Sequence, residues 1–156
     1  MKTISRLIPL FFVLISCTSA STFSQFDTMP QDNRWEKLDS KVYEFEVDDS
    51  KNFYYTIIFK FSHVYDYQFT DVPIKFTIES PDREKETLAV NLPIKDSNGK
   101  QLGDCSGDIC DLKYLIKSKT QLQKGKYKIT VSHAFVEAEY LPNVIGIGLN
   151  VDSEKQ

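Results

Sequence analysis

Hydrophobic side chains that alternate with polar ones are the feature that most constrains the fold of this chain. Residues 42–47 read VYEFEV, which places Tyr43 and Phe45 on one face and the glutamates on the other. Residues 73–80 (PIKFTIES) and 127–134 (YKITVSHA) repeat the pattern. A period of two is typical of a strand with one buried face, and long helical periodicity is missing from the sequence. The pattern predicts an all-β protein.

Three further apolar segments are predicted to be strands. Residues 54–61 (YYTIIFKF) carry Ile58 on the face opposite Tyr55, Ile57, Phe59 and Phe61, which indicates a central strand. Residues 88–94 alternate as well, and Pro93 indicates a strand end or a sheet edge. Residues 145–151 (IGIGLNV) set aliphatic side chains on one face and glycines on the other, where a neighbouring backbone can approach closely.

Turn signals separate these segments and set the fold class. Residues 96–99 contain the Asn-Gly pair that is favoured in tight hairpins. Residues 111–118 (DLKYLIKS) fit either a short strand or a helical turn. Seven or eight short strands predict a single antiparallel β-sandwich over residues 26–152, of Greek-key or jelly-roll type, with the strand order left open.

The N-terminal residues predict a lipoprotein signal peptide. Lys2 and Arg6 form a positive region, and residues 7–15 are an apolar run that is too short to span a bilayer. The run ends in LISC at residues 14–17, which has the form of a bacterial lipobox: a small residue precedes a cysteine that can carry a diacylglycerol thioether. The alternative is an ordinary signal peptide, cut after residue 19, with an incidental cysteine.

Cleavage before Cys17 would leave 140 residues with a net charge of −5. This is the size of one domain, and the charge argues against binding to nucleic acid, which needs basic clusters. Residues 1–16 are therefore predicted to be the signal peptide, and residues 17–25, which are small and uncharged, a flexible lipidated tether. Because no acidic cluster follows Cys17, we expect a lipid-anchored envelope protein on the outer membrane, facing the periplasm.

The two remaining cysteines, Cys105 and Cys110, are expected to form a disulfide, since an exported chain meets an oxidising environment. The alternative is a metal site that adds Asp104, Asp108 and Asp111. Their spacing lacks the alternating acidic residues and the closing glutamate of an EF-hand. No metal site is predicted.

The sequence offers little for catalysis. His133 is in phase with the apolar face of its predicted strand, so we expect a hydrogen-bonded core residue, and His63 lies at a strand end beside a loop. The acidic pairs fall in polar turns, and the sequence has no nucleophile elbow, zinc-protease helix motif or phosphate loop. We expect no enzymatic activity, no cofactor and no small-molecule substrate.

An aromatic cluster at residues 65–69 (YDYQF) is the remaining indication of function. Aromatic side chains on a loop of a sandwich can stack on sugars or anchor a protein partner. Most phenylalanines and tyrosines are expected to pack in the core, with Tyr65 and Tyr67 as exceptions. The candidate partner-binding residues are Tyr65, Asp66, Tyr67 and Phe69.

Several short motifs follow one another along the chain in a characteristic order. They are the lipobox, Phe26-Asp27 before Pro30, Asn33-Arg34-Trp35, Tyr43-Glu44-Phe45, Asp66-Tyr67-Gln68-Phe69, Gly99-Lys100-Gln101-Leu102-Gly103, Gly125-Lys126-Tyr127-Lys128-Ile129 and Ile145-Gly146-Ile147-Gly148-Leu149. In this order they resemble the GldH family of gliding-motility lipoproteins. The resemblance implies a non-enzymatic envelope lipoprotein, associated with gliding and with the secretion system that exports adhesins and enzymes. It carries over no catalytic or ligand residues.

Two functions remain open. The first is an accessory or assembly component of the gliding and secretion apparatus, which is anchored to the membrane through Cys17 and docks to envelope proteins. The second is a lipoprotein that binds carbohydrate or cell wall, which would need a row of exposed aromatic side chains.

Overall fold

The computed structural model describes residues 20–156, which form strands and no helix. The strands are β1 (Ala20–Thr28), β2 (Trp35–Glu36), β3 (Lys41–Val47), β4 (Phe53–Val64), β5 (Asp71–Glu79), β6 (Lys85–Pro93), β7 (Asp104–Ser106), β8 (Ile109–Thr120), β9 (Gly125–His133), β10 (Tyr140–Leu141) and β11 (Val144–Lys155). Across these residues no helix could cross a lipid bilayer. The predicted signal peptide and Cys17 lie outside the described residues.

Two antiparallel sheets pack against each other. One has five strands in the order β1-β11-β4-β8-β7, and the other has four in the order β3-β9-β5-β6. Strands β2 and β10 form a separate two-stranded ribbon. The long strands follow the order of a jelly roll, in which two Greek keys wrap into a sandwich. The predicted all-β sandwich is confirmed, and the structure selects the jelly roll from the two predicted types.

Aromatic and aliphatic side chains from both sheets fill the space between them. Phe59 of β4 meets Phe76 of β5 edge to face, with 5.1 Å between ring centroids. Phe76 also stacks on Tyr114 of β8. The hydroxyl of Tyr43 crosses the core and donates a hydrogen bond to the backbone oxygen of Ile147 at 3.3 Å. The apolar faces predicted from alternation are therefore the faces that build the core.

Short turns connect the strands at one end of the sandwich, which we name the turn end. The turns are residues 48–52, 80–84 and 121–124. The first strand begins at this end, because Ala20 pairs with Ser153 near the end of β11.

Longer connections lie at the opposite end, which we name the loop end. They are residues 29–40, which include β2; residues 65–70; residues 94–108, which include β7; and residues 134–143, which include β10. The two ends of the sandwich therefore differ in how much irregular chain they present.

Several predictions about single strands are confirmed. Strand β4 is central in its sheet, as Ile58 indicated, and β6 is an edge strand that ends at Pro93. The ambiguous residues 111–118 belong to strand β8. The Asn-Gly pair lies in a turn in which Gly99 has a φ of 79°.

The predicted tether over residues 17–25 is wrong from Ala20 onward. Residues 20–25 already belong to β1 and pair with β11, and β11 itself continues to Lys155, beyond the predicted boundary at residue 152. The sequence pattern does not predict β1. Phe23 faces the core, where it contacts Tyr43, whereas Phe26 faces outward. The two phenylalanines therefore give no period of two.

Candidate interaction surface

Of the predicted partner-binding residues, Tyr65 and Asp66 lie on the surface of the loop end. The side chain of Tyr65 is exposed, and its backbone nitrogen donates a hydrogen bond to the oxygen of Asp108 at 2.8 Å. Asp66 has a φ of 54°, a left-handed conformation that aspartate tolerates better than most residues. Its carboxylate forms an ion pair with the Nζ atom of Lys95 at 3.2 Å. The loop is thus fixed at two points to the neighbouring connection, residues 94–108.

Tyr67 is fully buried, so the prediction that it is exposed is wrong. Its hydroxyl donates a hydrogen bond to the backbone oxygen of Pro142 at 3.0 Å, and its ring lies 4.9 Å from that of His63. Burial raises the pKa of the Tyr67 hydroxyl. Phe69 is half-buried, with its ring 5.0 Å from the ring of Phe135. Tyr67 and Phe69 both pack against the core, and the side chain of Tyr67 is not accessible from the surface.

Both histidines are buried. His133 is buried, with Nε2 3.0 Å from the backbone oxygen of Trp35, and its Nδ1 accepts a hydrogen bond from the backbone nitrogen of Phe135 at 3.3 Å. The expectation of a hydrogen-bonded core residue is confirmed. His63 lies inside β4 and is fully buried; its Nδ1 is 2.8 Å from the oxygen of Val64, and its Nε2 has no hydrogen-bond partner among the described residues. Burial holds the pKa of each imidazole below its usual value.

Cys105 and Cys110 form a disulfide across the β7–β8 hairpin. Cys110 is buried and pairs with His63 on β4, whereas Cys105 is exposed. The turn of the hairpin contains Gly107, whose φ of 59° suits a residue without a side chain. Within residues 20–156, no three His, Cys, Asp or Glu side chains come together in a group that could hold a metal ion.

Exposed apolar side chains collect at the loop end, a feature that sequence analysis missed. Leu38 is 95% exposed and Val136 is 84% exposed. The complete set of exposed large hydrophobic residues in the described part of the chain is Phe26, Leu38, Val42, Tyr65, Leu102, Ile109, Leu115 and Val136. All except Leu115, in the middle of β8, lie in the loop-end connections or in the strand ends that adjoin them. Exposed apolar side chains mark interaction sites where they form a contiguous patch, whereas singly scattered ones are ordinary.

Leu38 and Val136 have the highest exposure of these side chains, and they lie in residues 29–40 and 134–143. Hydrogen bonds join these two connections. The backbone nitrogen of Lys37 donates to the oxygen of Glu139 at 2.8 Å, which extends the β2–β10 ribbon. Trp35 is fully buried beneath them, and its Nε1 donates to the oxygen of Asp39 at 2.7 Å. Leu38 and Val136 therefore lie on connections that hydrogen bonds join to each other.

The outer face of the four-stranded sheet is different in character. Opposite charges pair across its strands, with Glu44 beside Lys128 and Glu46 beside Lys126. A surface of alternating charges is well solvated and favours no apolar partner. The apolar contrast between the loop end and this face indicates that the loop end is the candidate interaction surface.

Comparison with known proteins gives a family match and distant similarities to solved structures. The chain aligns with TmCBM61, solved in complex with β-1,4-galactotriose, at 12% identity and a TM-score of 0.33, covering 89% of this chain and 86% of that one. It aligns with dimeric latent PorU from Porphyromonas gingivalis at 6% identity and a TM-score of 0.33, covering 90% of this chain but only 14% of PorU. Neither similarity assigns a ligand or a role. No curated protein matches the sequence. Residues 21–151 match the sequence profile of the GldH lipoprotein family.

Proposed function

The chain belongs to the GldH lipoprotein family, so it is a lipid-anchored envelope protein of gliding-motility context. On this premise we propose that it is a non-catalytic docking component of the motility apparatus and its associated secretion system. It is anchored by lipid on Cys17 to the outer membrane and faces the periplasm. It binds other envelope proteins and needs no cofactor.

The apolar loop end is the observation that carries this proposal. Protein interfaces depend on a small number of exposed apolar and aromatic anchors that become buried in the complex. Leu38, Val136 and Tyr65 supply such anchors on connections that are already ordered, so binding does not have to order them. The burial of both histidines in hydrogen-bonded or apolar surroundings supports a role without catalysis.

Complementation of a gliding strain that lacks the gene tests the docking role. We expect that the wild-type gene restores colony spreading and that the double variant Leu38→Ser, Val136→Ser does not, because the apolar anchors are lost. The matched control is Leu115→Ser, which removes an exposed leucine from the middle of β8. It should restore spreading. Immunoblots must show equal amounts of all three proteins.

The same strains separate the docking role from the lipid anchor. A Cys17→Ala variant should fail to restore spreading because the protein is no longer held at the membrane. If the Leu38→Ser, Val136→Ser variant restores spreading fully, docking through the loop end is wrong. If the deletion strain itself spreads normally, the motility role is wrong.

Carbohydrate binding is a second candidate, and Phe26 is the observation that favours it. Its ring covers Gly146 and Gly148 on the outer face of the five-stranded sheet and is 44% exposed. Lys60 and Asp111 line the same depression and could donate or accept hydrogen bonds from a sugar. Retention of the protein on insoluble polysaccharide, lost on Phe26→Ala, would support this role, and no retention would exclude it for the polysaccharides tested.

A further inference from the structure

The first described strand begins at the turn end, beside the last residues of the chain. Ser153 Oγ donates a hydrogen bond to the backbone oxygen of Ala20 at 3.3 Å. The backbone nitrogen of Gln156 donates to the oxygen of Asn52, in the turn between β3 and β4, at 2.9 Å. Any attachment upstream of Ala20 therefore pulls on this end of the sandwich.

The sequence leaves little chain between the proposed lipid site and this strand. Only Thr18 and Ser19 separate Cys17 from Ala20. Even a fully extended chain covers at most about 11 Å over these three steps. A lipid on Cys17 therefore holds the turn end within that distance of the lipid headgroups.

The surface of the turn end suits contact with headgroups and does not suit insertion into the acyl chains. It carries cations at Lys51, Arg83 and Lys124 and anions at Asp48, Asp49, Asp82 and Glu84. The exposed large hydrophobic residues found in residues 20–156 all lie elsewhere. A polar end of mixed charge can rest among zwitterionic headgroups without burying charge in hydrocarbon.

We propose that the turn end faces the lipid headgroups and that the strands point away from the membrane, so that the loop end is held at a fixed height. Strand β1 has nine residues and rises about 30 Å from the turn end to the loop end. The proposal rests on the lipidation of Cys17 given above. It identifies the lipid surface as the partner of the turn end and leaves the loop end free for a protein partner.

Position-dependent quenching measures this orientation without involving motility. The purified lipidated protein is reconstituted into vesicles of phosphatidylethanolamine and phosphatidylglycerol, and an environment-sensitive fluorophore is attached to one introduced cysteine at a time. The sites are Lys51→Cys at the turn end, Val136→Cys at the loop end and Leu115→Cys on the side of the sandwich. Nitroxide attached to lipid headgroups quenches only nearby probes. We expect several-fold stronger quenching at Lys51→Cys than at the other two sites.

A linker variant supplies the control. A flexible Gly/Ser segment of about 20 residues, inserted between Ser19 and Ala20, lets the domain move tens of ångströms from its anchor. The difference between the three sites should then disappear. Equal quenching at Lys51→Cys and Val136→Cys in the protein with native spacing would overturn the proposal, as would strongest quenching at Leu115→Cys, which indicates a domain lying on its side. Each of these outcomes is independent of whether the loop end binds a motility protein.

Discussion

Among single residues, the two buried histidines differ in how well their ring nitrogens are satisfied. In His133 both nitrogens have backbone partners, at Trp35 and Phe135. In His63 only Nδ1 has one, and the buried Nε2 is without a hydrogen-bond partner among residues 20–156. A satisfied buried polar group stabilises the fold, whereas an unsatisfied one costs free energy.

The two histidines should therefore respond differently to replacement by phenylalanine. We expect His133→Phe to lower the free energy of unfolding by about 1–3 kcal/mol, because it leaves two buried backbone groups unpaired. His63→Phe loses one hydrogen bond, to the oxygen of Val64, but also removes the unpaired Nε2, so it should cost less than His133→Phe. Urea denaturation at pH 7.5 measures both. A greater loss for His63→Phe than for His133→Phe would contradict this assignment.

Acid should destabilise the protein through the same residues. Burial lowers the pKa of both imidazoles in the folded state, so the unfolded chain takes up protons first as the pH falls below about 6.5. Stability is then full above that pH and decreases below it, by at most about 1.4 kcal/mol per histidine at pH 5.5. Urea midpoints at pH 7.5 and 5.5 check this prediction. The double variant His63→Phe, His133→Phe should show a smaller difference between the two.

At the scale of elements, the pairing of β1 with β11 depends on two glycines. A Cβ atom at Gly148 would lie 2.6 Å from the backbone oxygen of Gln25 and 2.8 Å from the ring of Phe26. We expect Gly148→Val to cost about 1–3 kcal/mol, because a backbone contact cannot move aside without shifting β1. The control is Asn150→Val, at the next outward-facing position of the strand, which loses only an exposed hydrogen bond with Ser24. Similar stabilities for the two variants would rule out this role for Gly148.

A strand could be predicted from the sequence where buried and solvated side chains alternate regularly between its two faces. Alternation identified β3, β5 and β9 because one face of each is buried and the other solvated. It failed for β1, an exposed edge strand with an irregular register between Ser21 and Phe23. It was ambiguous for β8, where Leu115 is exposed between the inward-facing Tyr114 and Ile116.

The candidate site was less predictable than the fold, because exposure in a loop depends on contacts from distant parts of the chain. The hydroxyl of Tyr67 finds its hydrogen-bond acceptor at Pro142, 75 residues away in sequence. Leu38 and Val136 lie between predicted strands, and only the folded chain shows that they are exposed at the same end. Sequence analysis located Tyr65 and Asp66 correctly on the surface but not the apolar surroundings that give them a role.

At the scale of the whole molecule, one continuous core joins the loop end to both sheets. The sole tryptophan, Trp35, lies at the loop end and belongs to the same buried cluster as Phe59 and Ile129. We therefore expect a single cooperative unfolding transition, in which Trp35 fluorescence and far-UV circular dichroism change at the same urea concentration. An earlier change in fluorescence would mean that the loop end unfolds separately, and it would weaken the argument for a preformed docking platform.

The pairing of β1 with β11 also determines when the protein can finish folding. Strand β1 has only β11 as a neighbour in its sheet, with Ala20 paired to Ser153. It therefore stays unpaired until β11 is available. A ribosome delivers β1 well before β11, and contacts between segments so distant in sequence form slowly. For a lipoprotein of the cell envelope, this delay keeps the five-stranded sheet incomplete during synthesis, which favours export of the chain before the sandwich closes.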